Sequence, residues 1–371
     1  MRGLAALYVM IGHARFLLWE GYGFFKQHAG AYTKAGKALV YFFSLFRYGH
    51  EAVMFFFVLS GFVIHLKYAK KISGDPRASF DFPDYLKRRA ERLYPPLLLA
   101  ILITFILDSY GTASGLIAYS GNTPYEAVNA VNKDRSLLTL LGNLAWLQQT
   151  VVPEFGSDGP LWSLMYEWWF YMLYPVFFYV NRKSMRTAFL LAVLLCTASF
   201  AAPYIVLVTP VFRLFIYWYL GVVLADIYAN RLPLKSGWPA AGILLVPVVL
   251  WAEEKIGHGF LPDLVLSLGF AALLYTLLTL SKKGKDFKLL KKLGWLGSCS
   301  YTLYVTHFPI LFFFGALLMR KYNGYLPVSQ LYIFAGIAVT LSFAYGMHFI
   351  VERPFTRKKP VAETVRRGAA I

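Results

Sequence analysis

The sequence predicts an all-α integral membrane protein, a bundle of about ten transmembrane helices with both termini in the cytosol. Composition is the first observation: of 371 residues, 58% are hydrophobic, 18% are aromatic and only 15% are charged. The second is a series of apolar runs near the length of about 20 residues that a helix needs to cross a bilayer. These runs are continuously apolar, whereas the strands of a membrane β-barrel would alternate apolar with polar residues. Helices are therefore the expected spanning elements.

Ten runs have the length and apolarity of membrane spans. They cover residues 3–20, 48–68, 86–109, 160–180, 187–206, 210–229, 238–253, 262–281, 298–319 and 328–351. The two long connections, 21–47 and 110–159, fall on the same side of the bundle. The second of these contains an amphipathic run at 136–149, which we expect to lie at the membrane interface or to tuck into the bundle.

The basic residues predict the orientation of the bundle. Lysine and arginine concentrate at 67–89, at 182–186, in the run 282–292 and in the tail 355–371. Cytosolic segments carry this excess, so both termini and the basic tail are expected in the cytosol. Because the basic residues lie at span ends, the net charge of +18 does not indicate a nucleic-acid partner. Cys196 and Cys299 fall in separate runs, which predicts neither a disulfide nor a metal site.

The first span carries two polar residues on one face. Arg2 and His13 are eleven residues apart, almost three helical turns, or about 16 Å along the axis. Exposure of this face to lipid would be costly, so it should look into the protein or into a wet cavity. The alternative is a buried structural histidine.

Two further spans carry polar residues near their starts. Glu51 lies at the outer end of the second span, where a helix cap and a functional role are both open. Ser60 and Gly61 follow, and such small residues often only allow helices to approach. The third span begins with Arg88, Arg89 and Arg92. Arg89 and Arg92 share a face, and arginine forks suit phosphate groups.

The fourth span holds a polar stripe. Ser163, Glu167, Tyr171 and Tyr174 recur at helical spacing along an aromatic helix. An unpaired carboxylate inside a membrane is costly, so Glu167 indicates either an ion pair or a functional site. We favour function because the stripe is long.

The ninth span repeats this pattern. Ser300, Tyr304 and His307 lie on one helical face, and His307 is expected near mid-depth, as is His13. Pro309 should kink the helix just beyond. Glu352, at the end of the tenth span, is interpreted as a local packing or ion-pair device. Together the spans predict a polar line across the bundle, with a phosphate-bearing donor on the cytosolic side and a hydroxyl acceptor outside.

Several short motifs in a fixed order resemble the acyltransferase-3 family of integral-membrane acyltransferases. They are RGLAA at 2–6 with His13 downstream, FFFVLSGF at 55–62, Arg89 to Pro95, WSLMYEWWFY at 162–171, SYTLYVTHFP at 300–309, and Glu352 to Pro354. The resemblance runs from residue 2 to about 354. It implies a ten-helix domain over 1–354 that uses acyl-CoA and modifies exported glycans or other exported molecules, in a bacterial cytoplasmic membrane. It also implies that Arg2, His13, Arg89, Arg92 and Glu167 match the family's functional positions.

Some members of this family carry a fused SGNH-type hydrolase domain outside the membrane. The chain ends shortly after the tenth span, so we expect no such domain here. Residues usually stand ahead of the position of Arg2 in the family, so a short leader is expected to precede it.

The hypothesis of mechanism places acyl-CoA, with acetyl-CoA as the default and succinyl-CoA as an option, against Arg2, Arg89 and Arg92, with contacts from Tyr304 and His307. No permanently bound cofactor and no metal are expected. His13 is either a general base or a transient acyl-imidazole nucleophile. Glu167 is assigned with it to catalysis, either orienting His13 or holding the acceptor. Acceptor or channel positions are assigned to Glu51, Ser163, Tyr171 and Ser300; a lipid-linked glycan is one possible acceptor.

Three other classes remain as alternatives. A multi-pass transporter of a small anion or sugar would use the same polar line, but we see no inverted repeat or paired broken helices. A membrane scaffold would not need Glu167 and His307 inside apolar runs. A rhomboid-like serine protease would need a recognisable pairing of Ser60 with a histidine, which the sequence does not indicate.

Overall fold

The computed structural model of this chain describes residues 1–201, 208–233, 238–257 and 259–356. These residues form helices joined by turns, as the apolar runs predict. The helices are α1 (Arg2–Leu17), α2 (Gly21–Gln27), α3 (Lys34–Ser44), α4 (Gly49–Gly74), α5 (Phe82–Ala113), α6 (Ile117–Ser120), α7 (Glu126–Asn129), α8 (Leu137–Leu144), α9 (Trp162–Lys183), α10 (Met185–Ala201), α11 (Thr209–Tyr228), α12 (Trp238–Ile256), α13 (Phe260–Lys282), α14 (Lys288–Lys292), α15 (Gly294–Ser298), α16 (Ser300–Lys321), α17 (Leu331–Val351) and α18 (Arg353–Thr356). Short 3-10 turns cover Ala29–Ala31 and Gly159–Leu161.

Six stretches of the described chain are long and apolar enough to cross a membrane. They are Lys34–Gly74, Phe82–Ala113, Thr209–Tyr228, Phe260–Lys282, Ser300–Lys321 and Leu331–Val351. Three of them contain a predicted span, and the other three coincide with one to within three residues at either end, so the expected all-α, multi-pass architecture is confirmed at this level. The helices extend beyond the apolar runs at several ends. In α4, for example, the helix continues through Lys70 and Lys71, because helical hydrogen bonding does not stop where the apolar run stops.

The other four predicted spans coincide with helices that are shorter or more polar. α1 has 16 residues, α9 has 22 but includes the polar stripe, and α10 has 17. The apolar part of α12 covers Gly242–Trp251. A count of ten spans and the cytosolic placement of the termini therefore stay predictions. The last residues of the span predicted at 187–206, and residues 357–371 of the predicted basic tail, lie outside the described ranges.

The amphipathic run at 136–149 forms the short helix α8 and a following turn. Leu137, Leu138 and Leu141 are exposed, whereas Thr139 and Asn143 on the other side are buried. An exposed apolar face beside a buried polar one fits the predicted interfacial position.

The centre of the bundle is α16, which packs against α1, α5 and α17. Every residue from Ser300 to Pro309 is buried, including the polar ones. A helix buried on all sides places its polar side chains inside the protein rather than towards lipid or water. This burial positions His307 and Tyr304 for the site described below.

A close crossing of α4 and α11 fixes the neighbouring part of the bundle. A Cβ atom added at Gly61 would lie 2.0 Å from the backbone oxygen of Trp218, and one at Gly221 would lie 2.0 Å from that of Val58. Only glycine allows this approach, so Gly61 serves helix packing, as one reading of the sequence held. The crossing leaves the adjacent Ser60 free to turn towards α9.

Candidate functional site

Two histidines from different helices meet inside the bundle. Nδ1 of His13 on α1 lies 2.7 Å from Nε2 of His307 on α16, and the two rings are nearly parallel. The ring of Phe308 stands edge-on to His13 at 5.0 Å, and that of Phe16 at 5.7 Å. Aromatic walls on two sides restrict the rotation of the His13 ring, so the pair has one well-defined geometry.

The hydrogen bonds of His307 determine which nitrogen carries each proton. Its Nδ1 lies 2.8 Å from the carbonyl oxygen of Tyr304 and 3.1 Å from that of Leu303. Carbonyl oxygens only accept, so Nδ1 of His307 must donate, and Nε2 of the neutral ring must accept. The bond between the histidines is then donated by Nδ1 of His13. Nε2 of His13 keeps its lone pair, which is what a general base or a nucleophile needs.

A wide cavity opens beside His13, near the C-terminal end of α1. It has a volume of about 530 Å³, and its wall includes His13, Arg15, Arg47, His50, Glu154 and Tyr304. Its lining residues come from α1, α4, α9, α16 and the connection between α5 and α9. This wide cavity is large enough to hold a sugar-sized ligand next to the imidazole.

A narrow cavity of about 50 Å³ lies towards the opposite end of α1. It gathers most of the residues singled out in the sequence: Arg2, Arg92, Ser163, Glu167, Ser300 and Tyr304. Tyr304 and Val53 line both cavities. The two cavities therefore adjoin at Tyr304, one helical turn before His307.

The polar stripe of α9 makes contacts along its whole length. Ser163 hydrogen-bonds the Tyr304 hydroxyl at 2.8 Å. Glu167 accepts from Tyr171 and, at 3.0 Å, from the Ser60 hydroxyl. In the described chain Glu167 makes no hydrogen bond with His13, whose ring is held by His307 instead. Of the two predicted roles for Glu167, holding a ligand is thus the one that this geometry favours.

The arginines of α5 divide into outward and inward groups. Arg88 pairs with Asp84, and Lys87 lies near Glu91. These two basic residues therefore serve as the surface anchors that are expected at the end of a membrane span. Arg89 instead lies over the rings of Tyr85 and Tyr171, at 5.7 and 5.6 Å. The Nε atoms of Arg89 and Arg92 are buried without a hydrogen-bond partner, and neither side chain is ion-paired among the described residues. Arg89 and Arg92 are therefore available to bind an anion.

Comparison with known proteins identifies the family of this chain. A family model described as an acyltransferase domain, that of the acyltransferase-3 family, matches residues 1–347. This chain belongs to the acyltransferase-3 family. The protein is accordingly an enzyme that transfers acyl groups, and the resemblance seen in its motifs is confirmed.

Two relatives of the acyltransferase are informative. "Acyltransferase MdmB" of Streptomyces mycarofaciens is 26% identical over 91% of this chain and 89% of its own length. "Putative peptidoglycan O-acetyltransferase YrhL" of Bacillus subtilis (strain 168) is 27% identical over 71% of this chain and 44% of its own length. No solved structure gives a significant match to the chain.

The structure places the remaining polar residues that the sequence singled out in three different surroundings. Ser300 lines the narrow cavity and donates to the Gly297 carbonyl at 3.0 Å. Glu51 is buried but lines a separate apolar cavity between α1, α4 and α13, rather than the wide or the narrow one. Glu352 accepts from the backbone N–H and the hydroxyl of Thr302, which supports its interpretation as a packing device.

Sequence reasoning missed several residues of the site. Ser60 was considered as a small packing residue and as a protease serine, but not as a partner of Glu167, to which it donates. His50 lines the wide cavity and bonds Asp263 at 3.1 Å. No sequence spacing links positions so far apart, and only the packing of α4 against α9 and α13 brings them together.

Asp158 lies in the turn that leads into α9, and both its carboxyl oxygens are buried without a hydrogen-bond partner among the described residues. Burial raises the pKa of this carboxyl well above its usual range, and the negative charges of Asp108 and Glu154 add to the effect. At neutral pH the unfolded chain holds this carboxyl ionised, so folding must desolvate or protonate it at a cost.

Asp158→Asn is therefore expected to raise the melting temperature at pH 7 by about 2–4 °C. The gain should disappear as the pH falls towards the ordinary carboxyl pKa of 3.8, because the group is then neutral in both states. Differential scanning fluorimetry from pH 4 to 8 measures it. Asp134→Asn is the control, because it should change the melting temperature in the opposite direction. Hydrogen bonds from Thr139 and Ser136 lower the pKa of Asp134, so loss of this carboxylate should lower stability at pH 7. A pH-independent effect of Asp158→Asn would contradict this account.

Proposed function

We propose that this enzyme moves an acyl group from cytosolic acyl-CoA, acetyl-CoA in the simplest case, to a hydroxyl of an extracytoplasmic glycan or another exported acceptor. In this proposal the bundle has ten spans, both termini are cytosolic, and the membrane is the cytoplasmic membrane of a bacterium. The observation that carries the proposal is that two cavities of different character adjoin at Tyr304, and that His13 lines the wide one. The name of YrhL refers to an O-acetylated glycan of the cell wall, which supports a glycan acceptor.

The narrow cavity is the proposed donor site. Arg2 and Arg92 line it, and Arg89 lies one turn from Arg92 on α5. Guanidinium groups bind phosphate oxygens in a bidentate way, which suits the phosphates of CoA. A cavity of about 50 Å³ admits at most the thioester end of the pantetheine arm, so donor binding is expected to widen it.

The proposed chemistry uses the free lone pair on Nε2 of His13. As a general base, this nitrogen takes the proton of the acceptor hydroxyl while the oxygen attacks the thioester carbonyl carbon. The C–S bond then breaks, and the CoA thiolate receives the proton from His13. In the alternative, Nε2 attacks the thioester carbonyl carbon first, the C–S bond breaks and the CoA thiolate leaves, so that a transient acyl-imidazole forms. The acceptor hydroxyl then attacks the acyl carbon, the bond from that carbon to Nε2 breaks, and the hydroxyl proton passes to the thiolate. Both routes require the same nitrogen to be unprotonated.

The surrounding polar groups are given supporting roles. The Tyr304 hydroxyl lies between the cavities and is proposed to donate to the thioester carbonyl oxygen as negative charge develops there. Ser163 orients that hydroxyl. Glu167, held by Ser60 and Tyr171, lines the narrow cavity and is proposed to bind a ligand group there.

The test is release of CoA thiol by detergent-purified protein given acetyl-CoA and a crude cell-envelope glycan. The proposal expects thiol release that depends on the glycan, with acetyl groups recovered on it. It also expects acetyl-CoA to raise the melting temperature by mass action. No release together with no stabilisation by acetyl-CoA would contradict it. Movement of a sugar or anion into proteoliposomes without thiol release would indicate the transporter instead.

A further inference from the structure

The wall of the wide cavity carries more positive than negative charge. Arg15, two residues after His13, and Arg47, just before α4, both line it. They are close enough to repel each other electrostatically. Glu154 is the acidic residue among the described lining residues, and its Oε1 already accepts from Gln149.

Of the two arginines, Arg15 has the less complete set of hydrogen-bond partners. Its Nε is buried without a hydrogen-bond partner, and no carboxylate of the described residues forms an ion pair with it. Arg47, by contrast, donates to the Tyr48 hydroxyl at 2.8 Å and lies over that ring. A partly desolvated guanidinium beside a second cation is unfavourable until an anion binds between or against them. A cavity wall that contains these two arginines is complementary to a negatively charged ligand.

Arg15 lies close to the proposed catalytic histidine, His13. Arg15 follows His13 by two residues, a rise of about 3 Å along the helix axis. Residues two apart point to different sides of a helix, but both of these side chains line the wide cavity, so an anionic group on a sugar held at His13 lies within reach of Arg15. The wide cavity, at about 530 Å³, has room for such a ring.

We propose that the acceptor of this enzyme is anionic: Arg15, with Arg47, binds a carboxylate or phosphate group of the acceptor and so places its hydroxyl at His13. This inference rests on the proposed function and adds the substrate class. It makes Arg15 a specificity-determining residue, outside the motifs that relate the chain to its family.

Binding without turnover gives the first test. Methyl glucuronoside, glucose 6-phosphate and methyl glucoside are each added at millimolar concentration to purified protein without acyl-CoA, and melting temperature is recorded. We expect stabilisation by one or both anionic sugars and none by the neutral one. Arg15→Gln should abolish this difference, whereas Arg320→Gln, which removes an exposed arginine from α16, should keep it. Equal effects of all three sugars, or an unchanged difference in Arg15→Gln, would overturn the proposal.

A lipid phosphate is the other source of the same chemistry. The measurement is repeated in nanodiscs of phosphatidylcholine and of phosphatidylglycerol without sugar. Stabilisation by phosphatidylglycerol that depends on Arg15, with no response to either anionic sugar, would identify a lipid site and overturn the assignment to the acceptor.

Turnover gives the second test and separates the two proposals. With acetyl-CoA present, kcat/KM for a uronic-acid oligosaccharide is compared with that for its carboxyl-reduced counterpart. We expect a ratio of about 10- to 100-fold in wild type, falling close to one in Arg15→Gln. Thiol release with both oligosaccharides at equal rates would overturn the anionic acceptor but leave the transferase. An Arg15-dependent thermal shift without any thiol release would retain the anion site and contradict the transferase.

Discussion

Replacement of His13 by alanine is expected to lower kcat for acyl transfer by about 10²- to 10⁴-fold, the range over which a positioned acid–base group contributes. The physical reason is the loss of Nε2, whose lone pair stays free when Nδ1 donates to His307, on a residue that lines the wide cavity. The KM for acetyl-CoA should change little, because the proposed phosphate contacts come from arginines. The measurement is the initial rate of CoA-thiol release at saturating donor, with His28→Ala as an exposed-histidine control.

His307 acts on the reaction through His13, so the two substitutions should not add. His307→Ala removes the acceptor for Nδ1–H of His13 and frees the choice of tautomer. The double variant is expected to be about as slow as His13→Ala alone. A His13→Ala enzyme within a few-fold of wild type, with its melting temperature preserved, would remove His13 from the chemistry. Additive losses would show that His307 acts independently.

Replacement of Arg92 by alanine is expected to lower kcat/KM for acetyl-CoA by about 10- to 100-fold, since a charge-assisted hydrogen bond contributes about 1.5–3 kcal/mol. With acetyl-pantetheine, which lacks the nucleotide phosphates, wild type and variant should be nearly equal. The informative quantity is the ratio of kcat/KM for the two donors. That ratio should be high in wild type and should fall in Arg92→Ala.

Arg88→Ala provides the matched control, because Arg88 lies on the same helix but is paired with Asp84 at its exposed side. Its ratio should stay close to that of wild type. Equal losses of Arg92→Ala on both donors would instead assign Arg92 to the structure of the narrow cavity rather than to phosphate binding.

The architecture was predictable because its cause is local. Runs of apolar residues near the length of a bilayer specify spanning helices without any knowledge of their neighbours. The helical spacing of Ser163 with Glu167 places both along the narrow cavity, whereas Arg2 lines the narrow cavity and His13 the wide one. α1 is too short, and α9 too polar, to be identified as membrane-spanning from length and apolarity alone. For such helices, composition does not decide whether they cross the membrane.

The contacts between helices were not predictable in the same way. His13 and His307 were both expected near mid-depth, but their hydrogen bond depends on how α1 packs against α16. The bond between Ser60 and Glu167 likewise depends on how α4 packs against α9. Arg15 drew no attention in the sequence because a basic residue near a span end is ordinary. The proposed role of Arg15 in anion binding follows from its place in the wall of the wide cavity.

Sealed proteoliposomes test most directly whether the reaction runs through the bundle. Labelled acetyl-CoA is enclosed in the lumen, and an acceptor that supports thiol release in detergent is supplied only outside. The account predicts labelled acceptor outside and free CoA inside, with little transfer when both substrates share one side. Efficient transfer only when donor and acceptor are on the same side would contradict a site in which two cavities adjoin at Tyr304.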